Sequence, residues 1–228
     1  MKVSLCLLVW NELEGCKIDV PRLPRQAFDE IYAVDGGSTD GTVDYLESQD
    51  IPVYRQPKKG LNAAYVHANR MSRCDAVVVF FPKGTIPVDD LLKFLPLFDS
   101  GCQLVVASRQ IAGSVNEEDE HLWRPRKWGV ACLALVASFL WRREGYRVRD
   151  VLHGFKGWTR SAFDRMNILE TGLSVDLEMV VRSYKLRVKR VEFPTTEKPR
   201  AYGNSHFKIW PTGKKLAAYL SFELTRKD

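Results

Sequence analysis

Short apolar segments alternate with segments of helical pattern along the first half of the chain. Strands are predicted at residues 3–9, 30–34, 53–56, 76–81 and 103–107, and helices between them at 41–49, 62–71 and 88–98. Alternation of this kind forms a mainly parallel sheet that is covered by helices on both faces. The pattern therefore predicts an α/β fold with a single Rossmann-like central sheet. Neither GxGxxG nor GxxxxGK[ST] is present, which argues against dinucleotide oxidoreductases and P-loop NTPases.

The charge of the chain is concentrated near its end. The net charge is +6 over 228 residues, but residues 185–228 hold 11 Lys and Arg against 4 Asp and Glu, so that the rest is close to neutral. A basic segment on a neutral body predicts an anionic partner, although a solvated basic face explains it equally well. A phosphorylated ligand and an anionic membrane surface both fit. No nucleic acid is expected, because no helix-turn-helix, zinc-finger or RNP-type pattern is present.

Cysteine usage and hydropathy indicate the compartment. The five cysteines are odd in number, widely spaced and without a CxxC pair, which is typical of a reducing compartment rather than of a disulfide or zinc framework. The start, MKVSLCLLVWNELEG, is interpreted as a first strand and not as a signal peptide. No apolar run reaches the length of about 18 residues that a membrane span needs. We therefore expect a cytoplasmic protein, with any membrane association peripheral.

Two polar motifs follow neighbouring predicted strands. Asn11 and Glu12 end the first strand, and the second ends in AVDGGSTDGT, residues 33–42. Asp35 leaves the edge of the sheet, the glycines of this segment allow the backbone to approach a ligand closely, and Ser38 can form a local hydrogen bond. Alone, the second motif is also compatible with an ordinary strand-to-helix turn. Because the carboxyl ends of parallel strands meet at one edge, the two together predict a ligand cleft.

These residues resemble the nucleotide-sugar-binding half of family 2 glycosyltransferases, which have the GT-A fold. The match continues in order through residues 56–69, 105–110, 147–163, 174–194 and 200–207, and the later segments are similar to those of polyprenyl-phosphate sugar transferases. The resemblance implies an inverting glycosyltransferase in which a nucleoside-diphosphate sugar is held by Trp10, Asn11, Glu12, Asp35, Gly37, Ser38 and Arg109. It runs from residue 3 to about residue 207. We expect one GT-A domain over 1–228, with a nucleotide-sugar-binding half at 1–110, an acceptor half at 111–207 and a basic tail at 208–228.

The chain departs from this family at the end of the fourth strand. Family members carry Asp-x-Asp there, and those carboxylates hold Mg²⁺ or Mn²⁺ against the donor diphosphate. In VVVFFPKGT the two positions are Phe81 and Lys83, and Thr85 falls on the next ligand. Asp89 and Asp90 lie too far along the chain to replace them. We therefore expect no metal cofactor, with either Lys83 in the place of the metal or a protein that binds nucleotide sugars without transferring them.

The acceptor half supplies the remaining candidate residues. A sugar hydroxyl needs a general base, for which Asp176 is the candidate, whereas a polyprenyl phosphate arrives ionised and needs cations. Asp150 is a candidate catalytic residue or the partner of an arginine. The candidate cations for an acceptor phosphate are Arg124, Arg126, Arg200 and His206, although solvation at the surface explains Arg124 and Arg126 equally well. Arg200 is also among the catalytic candidates, together with Lys83, Asp150 and Asp176.

Residues 123–143 bear on the kind of acceptor. The uncharged stretch from Trp128 to Trp141 is too short to span a bilayer, and its flanking tryptophan and basic residues are typical of a helix at a membrane interface. A buried core helix of this length fits the same pattern. The expected acceptor is a polyprenyl phosphate, with a soluble sugar hydroxyl as the alternative.

Overall fold

A seven-stranded sheet forms the centre of the molecule in the computed structural model, which describes residues 1–116, 125–172, 174–199 and 209–226. The strand order is β3-β2-β1-β4-β6-β5-β7. The strands are β1 (Val3–Val9), β2 (Glu30–Asp35), β3 (Val53–Arg55), β4 (Ala76–Phe80), β5 (Leu104–Ser108), β6 (Lys156–Thr159) and β7 (Arg190–Pro194). The helices are α1 (Leu13–Asp19), α2 (Thr42–Ser48), α3 (Leu61–Met71), α4 (Phe94–Asp99), α5 (Pro125–Trp141), α6 (Arg160–Met166), α7 (Val175–Lys185) and α8 (Ile209–Thr225).

The sheet is buried on both faces, as its apolar runs predict. Along β1, Leu5 and Leu7 join one hydrophobic cluster, whereas Cys6 and Leu8 join the cluster on the opposite face. Alternate side chains of a strand point to opposite faces, so a strand covered on both sides must be apolar throughout. The predicted α/β architecture is confirmed.

One strand runs against all the others. β6 pairs antiparallel with both β4 and β5, while the remaining pairs of the sheet are parallel. The parallel strands therefore bring their carboxyl ends to one edge, and β6 brings its beginning there. The residues just before and at the start of β6 consequently lie beside those that follow β4 and β5.

The prediction of one helix at 88–98 is wrong, because this segment contains two helices of different kinds. Residues Val88–Lys93 form a 3-10 helix, and the α-helix α4 begins only at Phe94. Pro96 lies within that segment and has no N–H to donate to the carbonyl four residues earlier, so a continuous α-helical ladder cannot run through it.

The segment predicted as a basic tail is a packed helix. In α8, Tyr219 and Glu223 are buried one turn apart on the same face. Glu223 accepts from Arg182 at 3.3 Å and from Lys185 at 3.2 Å, both on α7. The prediction of a tail at 208–228 is therefore incorrect for the described part of that segment. Part of the basic excess is neutralised inside the protein.

Helix α5, in residues 123–143, is buried on one side and exposed on the other. One side, with Val130, Ala134 and Ala137, packs into the core. The other side exposes Trp128, Leu135 and Phe139. Within the described residues no helix is long and apolar enough to cross a membrane.

Candidate active site

The ends of β1 and β2 are joined into one rim. The Asn11 N–H donates to Ser38 Oγ at 2.8 Å, and Asn11 Oδ1 accepts from the Thr39 N–H at 2.8 Å. The Asp35 carboxylate accepts from the N–H groups of Gly37 at 2.8 Å and Ser38 at 3.0 Å. Asn11 and Asp35, predicted as ligand contacts, thus first serve to shape the loops around the cleft.

Two left-handed residues allow this rim to form. Gly37 has φ +98°, which a residue without Cβ adopts readily, and Asn11 has φ +51°. Two further bonds, from the Glu12 N–H to Thr42 Oγ1 and from the Leu13 N–H to Asp40 Oδ2, each 3.1 Å long, tie the start of α1 to the loop before α2. The two polar motifs therefore act as one unit, as their positions at neighbouring strands predict.

A cleft of about 800 Å³ opens beside this rim. Its walls include the predicted residues Trp10, Glu12, Gly37 and Lys83. A volume of this order accommodates a nucleoside diphosphate with an attached sugar. Sequence reasoning assigned no role to three polar residues that also line the cleft: Arg55, Gln56 and Lys59. Their signal was their position, because Arg55 ends β3 and the other two follow it, and the carboxyl end of β3 reaches the same edge.

Lys83 lies on a turn that is held in place by a hydrogen bond to α1. The Gly84 N–H donates to Asp19 Oδ2 at 2.7 Å, and burial raises the pKa of this carboxyl of α1. The Lys83 ammonium lies 4.8 Å from the centroid of the Phe81 ring, within cation–π range. Both residues line the cleft.

The donor set at this turn does not suit a divalent cation. Mg²⁺ and Mn²⁺ require oxygen ligands, whereas Phe81 offers a ring and Lys83 a positive charge. Among the described residues no group of three or more His, Cys, Asp or Glu side chains is placed to hold a metal ion.

Arg109 and Asp150 form a buried pair behind the cleft. Arg109 Nε lies 2.9 Å from Asp150 Oδ2, and Nη2 lies 3.1 Å from Oδ1, a bidentate arrangement. Burial alone would raise the pKa of Asp150, but the Arg109 guanidinium outweighs it and holds that pKa well below the usual range. Asp150 is fully buried. This arrangement favours the interpretation of Asp150 as the partner of an arginine over its role as a catalytic residue.

Asp176, the candidate base, is paired as well. Its Oδ1 lies 2.8 Å from Nζ of Lys156, whose side chain is fully buried at the start of β6. An acceptor hydroxyl would have to compete with this ion pair for the carboxylate. Burial lowers the pKa of Lys156, and Asp176 opposes that effect. Sequence reasoning missed Lys156, although it stands in the motif at residues 147–163.

The residues around Gly154, just before β6, are closely packed. The Tyr65 hydroxyl donates to the Gly154 carbonyl at 2.5 Å, and the Phe81 ring lies against the same glycine. A Cβ at Gly154 would come within 2.8 Å of Phe81 Cε2. The glycine is therefore needed for the ring at the strand-four end to lie against β6.

The predicted acceptor-phosphate site is the least described part. Arg124, Arg200 and His206 lie outside the described residues. Arg126 is the second residue of α5, and its side chain is also outside them. The structure adds two titratable residues that the sequence did not single out. His153 Nδ1 lies 2.5 Å from the Ala107 carbonyl, and its Nε2 lies 3.9 Å from the carboxylate of Glu197.

The family model described as glycosyl transferase family 2 matches residues 21–170. The chain belongs to glycosyltransferase family 2. This match covers five of the seven strands, the rim loop after β2 and the Arg109–Asp150 pair, but not β1 or the residues Asn11 and Glu12 that follow it.

Individual family 2 relatives are distant in sequence. The glycosyltransferase AglJ of Haloferax volcanii is 26% identical over 204 residues, which cover 88% of this chain and 65% of AglJ. The undecaprenyl-phosphate mannosyltransferase of Micrococcus luteus is 24% identical over 219 residues, covering 90% of this chain and 87% of that protein. The chain thus spans just under two thirds of AglJ, and 46% of the hexosyltransferase Agl6 of Haloferax volcanii.

Among solved structures, glucosyl-3-phosphoglycerate synthase from Mycobacterium tuberculosis is similar to this chain, with a TM-score of 0.71 at 16% identity. The alignment covers 100% of this chain and 81% of the synthase, whose structure holds Mn²⁺, UDP-glucose and phosphoglyceric acid. This likeness confirms the predicted GT-A fold.

Proposed function

We propose that this family 2 protein transfers a sugar from a nucleoside-diphosphate sugar to the phosphate of a polyprenyl phosphate. A phosphate oxygen of the acceptor attacks the anomeric carbon, and the bond from that carbon to the donor diphosphate breaks. One displacement of this kind inverts the anomeric configuration. An ionised phosphate has no proton to lose, so the step needs no general base.

The pairing of the carboxylates carries this proposal. Asp150 is bound to Arg109, Asp176 to Lys156, and Glu197 to Arg109. All three of these described carboxylates therefore already have a cationic partner, and Arg109 lowers the pKa of Asp150 and of Glu197. Such a site suits an acceptor oxygen that is already charged better than it suits a sugar hydroxyl.

Lys83 is proposed to take the part that a metal has in the family. As the sugar leaves, negative charge grows on the departing diphosphate. A fixed ammonium at the wall of the cleft stabilises that charge without reorganising. Several cations contribute to the same field, since Arg55 and Lys59 line the cleft as well.

The exposed face of α5 supports a lipid acceptor. Trp128, Leu135 and Phe139 recur at the spacing of one helix face, and Phe139 is 85% exposed. Exposed arginines follow the helix at positions 143, 147 and 149. Apolar residues beside basic ones fit an anionic membrane surface. A second copy of the chain fits this face less well, because pairing the α5 faces of two copies would bring their basic ends together.

The relatives support both kinds of acceptor. The Micrococcus luteus relative is an undecaprenyl-phosphate mannosyltransferase, which favours a lipid phosphate. The synthase of similar fold holds phosphoglyceric acid, a soluble molecule, so a soluble acceptor is the second candidate.

The direct test is an assay of nucleoside diphosphate release. The protein is incubated with a panel of nucleoside-diphosphate sugars, with either a polyprenyl phosphate or soluble sugar acceptors. We expect release that requires the lipid phosphate. Release with soluble acceptors alone would support the second candidate, and bound nucleotide without any release would indicate a binding subunit.

The rim gives a prediction about nucleotide affinity. Replacing Asp35 by alanine removes the acceptor that orders Gly37 and Ser38, so we expect nucleotide binding to weaken by about 1.5–3 kcal/mol. Calorimetric titration measures this change. Asp44→Ala, an exposed carboxylate on α2, is the matched control and should bind as the parent does. Unchanged affinity in the Asp35 variant would contradict the placement of the nucleotide.

The α5 face gives a prediction about membranes. Phe139→Ser should weaken binding to vesicles that contain an anionic phospholipid by about tenfold, the scale of burying one aromatic side chain. Higher salt should weaken binding of the parent protein too. Sedimentation of vesicles with bound protein measures both effects. Leu92→Ser removes an exposed apolar side chain elsewhere and should have no effect. Absence of binding at low salt would remove the main support for a lipid acceptor.

A further inference from the structure

A short strap after β7, residues 195–198, crosses from one wall of the active site to the other. The Glu197 N–H donates to the Val115 carbonyl at 3.0 Å, and the Lys198 N–H donates to the Thr85 carbonyl at 2.8 Å. Thr195 Oγ1 donates to the buried Asp90 at 2.5 Å. The strap is therefore fixed on both sides of Glu197, and one of its attachment points is the turn that carries Lys83.

The carboxylate of Glu197 occupies the outer side of Arg109. Asp150 binds Nε and Nη2 of this guanidinium, and Glu197 lies 2.6 Å from the remaining nitrogen, Nη1. The Glu197 side chain is 20% exposed, whereas that of Asp150 is fully buried. Glu197 is thus the partner of Arg109 that a ligand can approach.

Lys83 belongs to the same electrostatic group. Burial alone would raise the pKa of Glu197, but Arg109, then His153 and Lys83, lower it below its usual value. The carboxylate is therefore charged at neutral pH, is paired with Arg109 and lies within electrostatic reach of Lys83.

We propose that Glu197 is an internal counter-anion for Lys83 and Arg109, which limits how tightly the site holds a diphosphate and so permits release of the product nucleotide. The inference rests on the proposed function, in which the diphosphate lies at Lys83. A carboxylate beside a bound diphosphate repels it, and at protein-like dielectric this repulsion amounts to a substantial loss of affinity. Glu197 is accordingly a positioning residue and not a catalytic one.

Glu197→Gln tests this inference because it removes the charge and keeps the shape. Inorganic pyrophosphate is the probe, since its binding does not depend on the base or the sugar. Calorimetry should show pyrophosphate binding about tenfold tighter than in the parent, the scale of removing one nearby like charge. If Glu197 served only to hold the strap in place, Glu197→Gln would weaken pyrophosphate binding.

Three further variants isolate the charge effect. In a Lys83→Met background the gain from Glu197→Gln should shrink markedly, because one of the two cations is gone. Glu197→Asp keeps the charge and should bind pyrophosphate as the parent does. Glu144→Gln changes the net charge equally at an exposed position and should have no effect. If the glutamine variant does not fold by thermal unfolding, Glu197→Ala takes its place.

The outcomes separate this inference from the proposed function. Parent binding that depends on Lys83, together with no gain in Glu197→Gln, would overturn the inference and leave the proposed function intact. If the parent does not bind pyrophosphate, or if Lys83→Met does not change that binding, the placement of the diphosphate at Lys83 is overturned. The proposed role of Glu197 is then overturned with it.

Discussion

Lys83→Met lowers the release of nucleoside diphosphate about 10²–10³-fold, the loss expected when one preorganised electrostatic contact is removed. The reason is that the ammonium stabilises charge that appears on the diphosphate only as the sugar leaves. Nucleotide affinity should change much less than turnover, because the contact is strongest in the transition state. Initial rates at saturating donor and acceptor measure the effect.

Chelation provides the complementary measurement. EDTA should leave the parent rate unchanged, and added Mg²⁺ or Mn²⁺ should not rescue Lys83→Met, since the strand-four end offers Phe81 and Lys83 in place of carboxylates. Lys17→Met, which removes an exposed lysine paired with Glu14, is the control for loss of one positive charge. Strict metal dependence of the parent would refute the substitution of Lys83 for a metal.

Lys156→Met should destabilise the fold by about 3–5 kcal/mol, because it leaves the Asp176 carboxylate without its partner in a buried setting. Chemical denaturation monitored by tryptophan fluorescence measures the free energy of unfolding. Lys156→Met combined with Asp176→Leu should recover most of the loss, since no unpaired charge then remains.

An exposed pair of the same type provides the comparison. Lys58 pairs with Glu170 at the surface, so Lys58→Met should change stability by about 1 kcal/mol or less. A loss of that small size in Lys156→Met would show that Asp176 is solvated, and Asp176 would again be a candidate base.

The strands β1, β4 and β5 were predictable because they are mainly apolar runs of five residues or more. β6 was not predicted, and its sequence explains why. Lys156–Thr159 is four residues long and contains a lysine and a glycine, so neither length nor periodicity marks it as a strand. The position is buried because Asp176 supplies a partner for the lysine, and that partner lies 20 residues away.

The candidate site was predictable in position but less so in chemistry. The motifs containing Asn11 and Asp35 indicate the correct edge of the sheet, because strand ends fix where polar residues gather. Their contacts with the neighbouring loop depend on how the two turns meet in space. The same limit applies to Arg109, whose partners Asp150 and Glu197 lie 41 and 88 residues away along the chain.

The sheet order has a consequence for attempts to exchange parts between relatives. β6 lies between β4 and β5, so the predicted halves 1–110 and 111–207 interlock within one sheet. In a chimera joined at residue 110, β4 and β5 would come from one relative and β6 from the other. Every side chain of β6 would then have to pack beside strands from a different protein. Grafts intended to change acceptor choice should therefore keep β6 from the recipient and exchange the loops around it.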